Sequence, residues 1–115
     1  MIGEPKRINF HTVSPYFMVV EVDPVVEFLR NAFDGREHYR TTGERGGLHV
    51  EVQIGDSMIM VGGGNGTVTE PISGAIFLYV EDVDTIYASA LTAGATPMIP
   101  PADGMFDEER GAGVV

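Results

Sequence analysis

Residues 74–94, GAIFLYVEDVDTIYASALTAG, spell out a strand, a cap, a helix and a stop in one unbroken run. Residues 75–80 are uncharged and rich in aromatic and branched side chains, the composition of a β-strand. Glu81 and Asp82 end that run. Asp82 is placed to cap a helix, because its carboxylate can accept from the first free backbone N–H groups. Val83, Ile86, Tyr87, Ala90 and Leu91 then recur at helical spacing and make one apolar stripe. Gly94 can take the left-handed conformation that stops the helix. A chain built on such a unit has to fold the helix back over one face of the strand.

The same order occurs earlier. Residues 16–20 are an apolar strand closed by Glu21, and Asp23-Pro24 reads as a helix start with Asp as cap and Pro at the first helical position. Val25, Val26, Phe28, Leu29, Ala32 and Phe33 are the apolar helix positions, and Gly35 is the expected stop. Phe17, Val20 and Glu21 recur as Phe77, Val80 and Glu81. The pattern predicts two copies of one small module.

Between the copies, residues 36–42 read as an irregular or edge strand. Leu48, Val50, Val52 and Ile54 alternate with His49, Glu51 and Gln53, the period of a half-buried strand. Gly55-Asp56 is a tight turn, and residues 57–61 are the return strand. The glycines of residues 62–66, GGGNG, precede neither a helix nor a lysine, so a phosphate loop is disfavoured and a flexible link is expected. After Gly94, residues 95–99 are a strand weakened by Pro97. Pro100-Pro101 and Asp103-Gly104 mark a turn that residues 105–109 continue, and Arg110 opens another strand.

Strand alternation then assigns faces. Ile76, Leu78 and Val80 suit the helix side, which turns Ala75, Phe77 and Tyr79 to the other. Tyr16, Met18, Val20, His49, Glu51, Gln53, Met58 and Met60 fall on the corresponding side of the first module. Aromatics, methionines, one histidine and one acid make the wall of a cleft, where apolar area gives affinity and a few polar groups give orientation.

Composition excludes several classes. A chain of 115 residues fits one domain. Its net charge of −10 opposes nucleic acids and anionic membranes. It has no cysteine, hence no disulfide or thiolate chemistry. The first residues lack a signal-peptide core and no apolar run approaches the ~20 residues of a membrane span, so a cytoplasmic protein is expected.

The strings PYFMVVEVD, GLHVEVQIGDSMIMV, GAIFLYVEDVDTIYASALTAGAT, MIPPADGMF and ERGAGVV cover nearly everything from Ser14 onward. In order and spacing they resemble the glyoxalase/bleomycin-resistance (vicinal oxygen chelate) superfamily, in particular its PhnB-like branch. The resemblance implies an α+β fold of paired βαβββ modules forming a half-open barrel around a concave pocket. The modules would be residues 14–61 and residues 74–115, with a Gly-rich linker over 62–73. It also implies that dimers are common. Family members usually continue past Val115 with a last strand, so the second module is expected to be one strand short. Its open edge, with unpaired N–H and C=O groups, would recruit a second copy.

Metal-using members take His or Gln, Glu, His and Glu from equivalent strands. The resemblance puts those positions near Ser14, Met60 and Ala75, with the fourth in the absent strand. Ser, Met and Ala are poor ligands for a hard or borderline divalent ion, and a catalytic Zn or Fe site needs about three N/O ligands. No metal cofactor is therefore expected; His49 and Glu51, two apart on one strand face, make at most a weak divalent site.

The expected site is Tyr16, Met18, His49, Glu51, Met60, Phe77 and Tyr79, with Arg110 as an anion clamp at the cleft mouth. His49 and Glu51 are the catalytic candidates, His49 as a hydrogen-bonding group or a general base. The blander alternatives are a histidine satisfied by its neighbouring acid, gap-filling methionines and a solvated arginine. The expected function is small-molecule binding without metal, in the manner of the drug-sequestering branch. A metal-dependent lyase, isomerase or dioxygenase, and a non-catalytic dimeric interaction domain, are the alternatives.

Overall fold

A computed structural model describes residues 10–106 and 109–115. In chain order the elements are β1 (Tyr16–Val19), α1 (Val22–Phe33), β2 (Arg36–Thr42), β3 (Leu48–Ile54), β4 (Ser57–Gly63), α2 (Val83–Thr92), β5 (Pro97–Phe106) and β6 (Glu109–Val114). The fold is α+β, with a four-stranded sheet ordered β1-β4-β3-β2 and a two-stranded sheet of β5 and β6. The described strands do not close into a barrel. Among the described residues, no helix is long and apolar enough to cross a membrane.

The first unit forms as its alternation dictates. Val22, Val26 and Leu29 of α1 pack on Val50, Val52, Ile59 and Val61, with Phe17, Val19, Leu48 and Ile54 at the margin of that core. The helix starts at Val22 rather than at Pro24, and Glu21 holds the cap position without a side-chain bond. Pro24 lies in the first turn, where its missing N–H breaks no helical bond. The stop is Asp34, not Gly35: Asp34 adopts the left-handed conformation (φ 56°, ψ 37°), which a short polar side chain tolerates. Gly35 is required for close approach instead, since a Cβ there would lie 2.9 Å from both the Leu29 carbonyl oxygen and a Val52 methyl.

β4 runs two residues beyond the expected return strand. Gly62 and Gly63 pair with Met18 and Val19 of β1 on one side and with His49 and Leu48 of β3 on the other. The start of the glycine-rich segment is therefore sheet, not link. The rest is tied down as well. The Asn65 side-chain amide donates to the Arg45 carbonyl (2.9 Å), and the Thr67 hydroxyl donates to that of Gly64 (2.6 Å).

The second unit departs further. Among the described residues, residues 74–80 join no ladder, and they are mostly exposed, against the expected strand. A β-favouring run becomes a strand only when a neighbour takes up its N–H and C=O groups. In the first unit β1 finds that neighbour in β4, which runs parallel to it. In the second, the described strands after α2 are β5 and β6, which pair with each other. The expected contact of the Val83–Leu91 stripe with this run is correspondingly incomplete. Ala90 is buried, while Val83, Ile86, Tyr87 and Leu91 are half-buried, and α2 lies against α1, β5 and β6.

Pro100-Pro101 is not a turn. β5 runs through it with register shifts against β6 between Pro97 and Ile99, Ile99 and Ala102, and Ala102 and Phe106. Such bulges seat prolines and Gly104 where no ladder N–H is needed. The expected continuation over residues 105–109 lies partly outside the described residues.

The ends of α2 match the sequence. Thr85 donates to the Asp82 carboxylate from its backbone N–H (3.1 Å) and its hydroxyl (2.7 Å). Beyond the helix, Ala95 N–H reaches the Ala90 carbonyl and Gly94 N–H that of Leu91, the paired bonds of a Schellman ending, with Gly94 at φ +113°. The Thr85 hydroxyl, and then its backbone N–H, hold the Asp82 carboxyl below its ordinary range. A carboxyl lowered on folding stabilises the folded state above its unfolded value, about 3.9, and that contribution is lost as pH falls through the folded value. Hydrogen-exchange protection of the first turn of α2 is therefore expected to fall as pH drops below about 4. Asp82→Asn, which cannot titrate, should flatten that dependence; an unchanged profile would argue against the cap.

Candidate ligand-binding face

The ladder register sets out the face of the four-stranded sheet that turns away from α1. Tyr16, Met60, Glu51 and Tyr39 lie in one row across it, and Met18, Gly62, His49 and Thr41 in the next. Their alternates, among them Phe17, Val19, Val50, Val52 and Val61, pack under the helix.

Two polar groups anchor the face. Glu51 is only 2% exposed, and its Oε2 lies 2.9 Å from His49 Nε2. The His49 side chain is 27% exposed. A neutral His49 ring that donates to the Glu51 carboxylate from Nε2 leaves Nδ1 as an acceptor, whereas a protonated ring makes Nδ1 a donor. Among the described residues Nδ1 has no hydrogen-bond partner. Burial of Glu51 holds the carboxylate in place, and the bond holds the ring.

Tyr16 sits beside this pair. Its ring centroid is 5.7 Å from that of His49, at a tilt of 46°. Its hydroxyl lies over Gly62, the residue directly across the ladder from His49, where a Cβ would meet it at 2.5 Å. Among the described residues the Tyr16 hydroxyl also has no hydrogen-bond partner. Met18 and Met60 are half-buried on the same face, and Met58 is fully buried. The face therefore brings together Tyr16, Met18, His49, Glu51 and Met60.

The other expected site residues lie elsewhere. Phe77 and Tyr79 pack against each other, ring centroids 5.1 Å apart, and are 54% and 83% exposed. They lie on a segment that belongs to none of the described strands. Arg110 is no clamp for an outside anion: it grips Asp84 through two nitrogens (2.7 and 2.8 Å) and Asp103 through a third (3.0 Å). That ion pair ties β6 to α2 and β5 and holds the Asp84 carboxyl below its usual range. The sequence reading missed Gly62, which it placed in a link. The register would have found it, since Gly62 is two residues past Met60 on the same strand face.

Among the described residues, the donor set on this face falls short of a resident catalytic metal site. Such a site needs about three N/O ligands, and this face offers His49 and Glu51 among thioethers and a phenol. Among the described residues, no group of three or more His, Cys, Asp or Glu side chains could hold an ion. Two open depressions of about 460 and 570 Å³ lie away from this face, one lined by Glu21, Asp23 and Asn65, the other between α1 and α2. Neither gathers a buried acid, an oriented imidazole and an aromatic ring, so the sheet face is the better candidate.

The chain aligns over 90% of its length with hypothetical protein SA1046 from S. aureus, covering 92% of that chain at 17% identity and a TM-score of 0.60. It aligns over 89% with TioX from Micromonospora sp. ML1, covering 88% of that chain at 22% identity and a TM-score of 0.57. The chain shares its overall fold with both proteins. Identities this low carry the fold and not the chemistry. Uncharacterized proteins from two strains of Mycobacterium tuberculosis are each 29% identical over 121 aligned positions, which span 95% of this chain and 71% of theirs. No family model matches the chain.

Proposed function

We propose that this chain binds a small organic molecule on the face formed by Tyr16, Met18, His49, Glu51 and Met60, without a resident metal. One observation carries the reading: buried Glu51 fixes the His49 ring through Nε2, while Nδ1 has no partner among the described residues, on an otherwise apolar and aromatic face. The resemblance of the motif strings to the bleomycin-resistance superfamily and its PhnB-like branch supports the same reading. In it, the two sheets are walls of a half-open barrel. The net charge of −10 favours neutral or cationic ligands over anions.

Titration of small aromatic compounds, followed by amide chemical shifts, is the test. Responding compounds are expected to perturb Tyr16, His49 and Met60, and His49→Ala to weaken them at least about tenfold, or about 1.4 kcal/mol. Perturbation confined to the outer surfaces of α1 and α2 would exclude this face. One equivalent of bound Zn, Mn, Ni or Fe per chain, lost in His49→Ala, would exclude the metal-free reading.

A second reading, homodimerisation, is favoured by residues 75–80, a β-favouring run that joins none of the described strands. It is uncharged and flanked at one end by Glu81 and Asp82. Antiparallel pairing of two such runs sets the acids of the two copies at opposite ends, whereas parallel pairing would bring them together. The occupant that satisfies both the backbone groups and the charges is thus a second copy across a two-fold axis. Light scattering is expected to give a dimer mass, and Tyr79→Lys with Ile76→Lys a monomer; a monomer throughout at high concentration contradicts it.

A further inference from the structure

We infer that the molecule taken by this face presents a hydrogen-bond donor and an acceptor side by side on one edge, as a lactam or cyclic imide does, on a flat apolar body. The inference rests on the small-molecule reading above and specifies the ligand of that site. Two polar atoms on the face have no protein partner among the described residues: His49 Nδ1, an acceptor when the ring is neutral and donates from Nε2, and the Tyr16 hydroxyl, a donor. They are neighbours, since the hydroxyl overlies Gly62 and Gly62 faces His49 across the ladder. They do not satisfy each other.

A half-buried polar group that loses water on ligand binding must regain a hydrogen bond, or the complex carries its desolvation cost. An N–H beside a C=O, fixed cis in a ring, answers both groups at once. The N–H donates to Nδ1 and the carbonyl accepts from the phenol. Both groups are held before binding, Nδ1 by Glu51 and the hydroxyl by the packing of the Tyr16 ring over Gly62, so little ordering is required. Met18, Met60 and the Tyr16 ring offer polarisable apolar surface to the body of the ligand.

Other edges fit less well. A carboxylate would face the lone pair of Nδ1 with the buried Glu51 charge behind it, and like charges repel at such range. An ammonium group would answer Nδ1 but carry no acceptor for Tyr16. An apolar edge would leave both groups dry and unpaired.

The test compares 2-quinolone, N-methyl-2-quinolone and quinoline-2-carboxylate by amide chemical-shift titration of the isotope-labelled chain. The first carries the donor–acceptor edge, the second lacks the donor, and the third carries an anion. 2-Quinolone is expected to shift Tyr16, His49 and Gly62 and to bind at least about tenfold more tightly than either analogue. His49→Gln should weaken 2-quinolone by about tenfold while leaving the N-methyl compound little changed, and Tyr16→Phe should weaken both compounds, since both keep the carbonyl. Equal affinity of 2-quinolone and its N-methyl analogue at this face, or tighter binding of the carboxylate, overturns the inference and leaves the binding reading standing. Absence of binding by all three, or shifts confined to other surfaces, overturns both.

Discussion

Gly63→Ala is expected to destabilise the fold by on the order of 4 kcal/mol, through a clash that neither partner can relieve. Gly63 sits at φ +140°, and a Cβ built there would lie 1.8 Å from the Val19 carbonyl oxygen and 2.9 Å from the Val19 carbonyl carbon. Those atoms are backbone of β1. Gly63 is itself held between Val19 and Leu48 in the ladder, so either β1 leaves the sheet or β4 leaves β3. Gly66 separates this effect from dihedral strain alone: it has φ +74° but open space where a Cβ would stand. Gly66→Ala is expected to cost about 1–2 kcal/mol, the strain of a left-handed residue. Urea unfolding of the two variants measures the difference. Equal midpoints would mean that β1 is held less firmly than its ladder implies.

The first unit was legible because its information is local. The alternation over Leu48, Val50, Val52 and Ile54 and the stripe of α1 define a helix packed on a sheet, and the core is made of those residues. The cap at Asp82 and the stop at Gly94 were equally local, each resting on one side chain or one dihedral. Residues 74–80 failed for the opposite reason. Their composition is the most strand-like in the chain, but a strand is defined by a partner, and sequence preference carries no statement about what lies alongside. Pro100-Pro101 failed because a turn and a bulged strand use the same residues, and only the pairing of β5 with β6 distinguishes them. Arg110 was read without its neighbours. Asp84 is 26 residues away in sequence, and the contact exists only once α2 has folded over the hairpin. Of the candidate site, Tyr16, Met18, His49, Glu51 and Met60 were legible from parity along the strands. What hid the next position on that face, Gly62, and hence where the Tyr16 phenol rests, was the expected end of the return strand at residue 61.

Gly62→Ala is expected to spare the fold and alter the site, in contrast to its neighbour. A Cβ on Gly62 would meet the Tyr16 hydroxyl at 2.5 Å and two ring carbons at 3.0 and 3.1 Å. Its backbone is not in the left-handed region, so alanine imposes no dihedral strain. The obstacle is the far end of a side chain that can rotate, and the β1–β4 ladder does not depend on it. Stability should therefore change by less than about 1 kcal/mol. The phenol, however, must swing off the position across from His49. Two readouts follow. In the unliganded protein, the His49 ring protons lose the ring-current shift imposed by a ring whose centroid is 5.7 Å away. In the complex, a ligand that accepts from Tyr16 loses that bond, and its affinity is expected to fall at least about tenfold. Tyr16→Phe gives the matching control: it keeps the ring-current shift while removing the hydroxyl. If Gly62→Ala left both the His49 ring shifts and the affinity unchanged, the phenol would not be held over Gly62, and the face would have one fixed polar anchor instead of two.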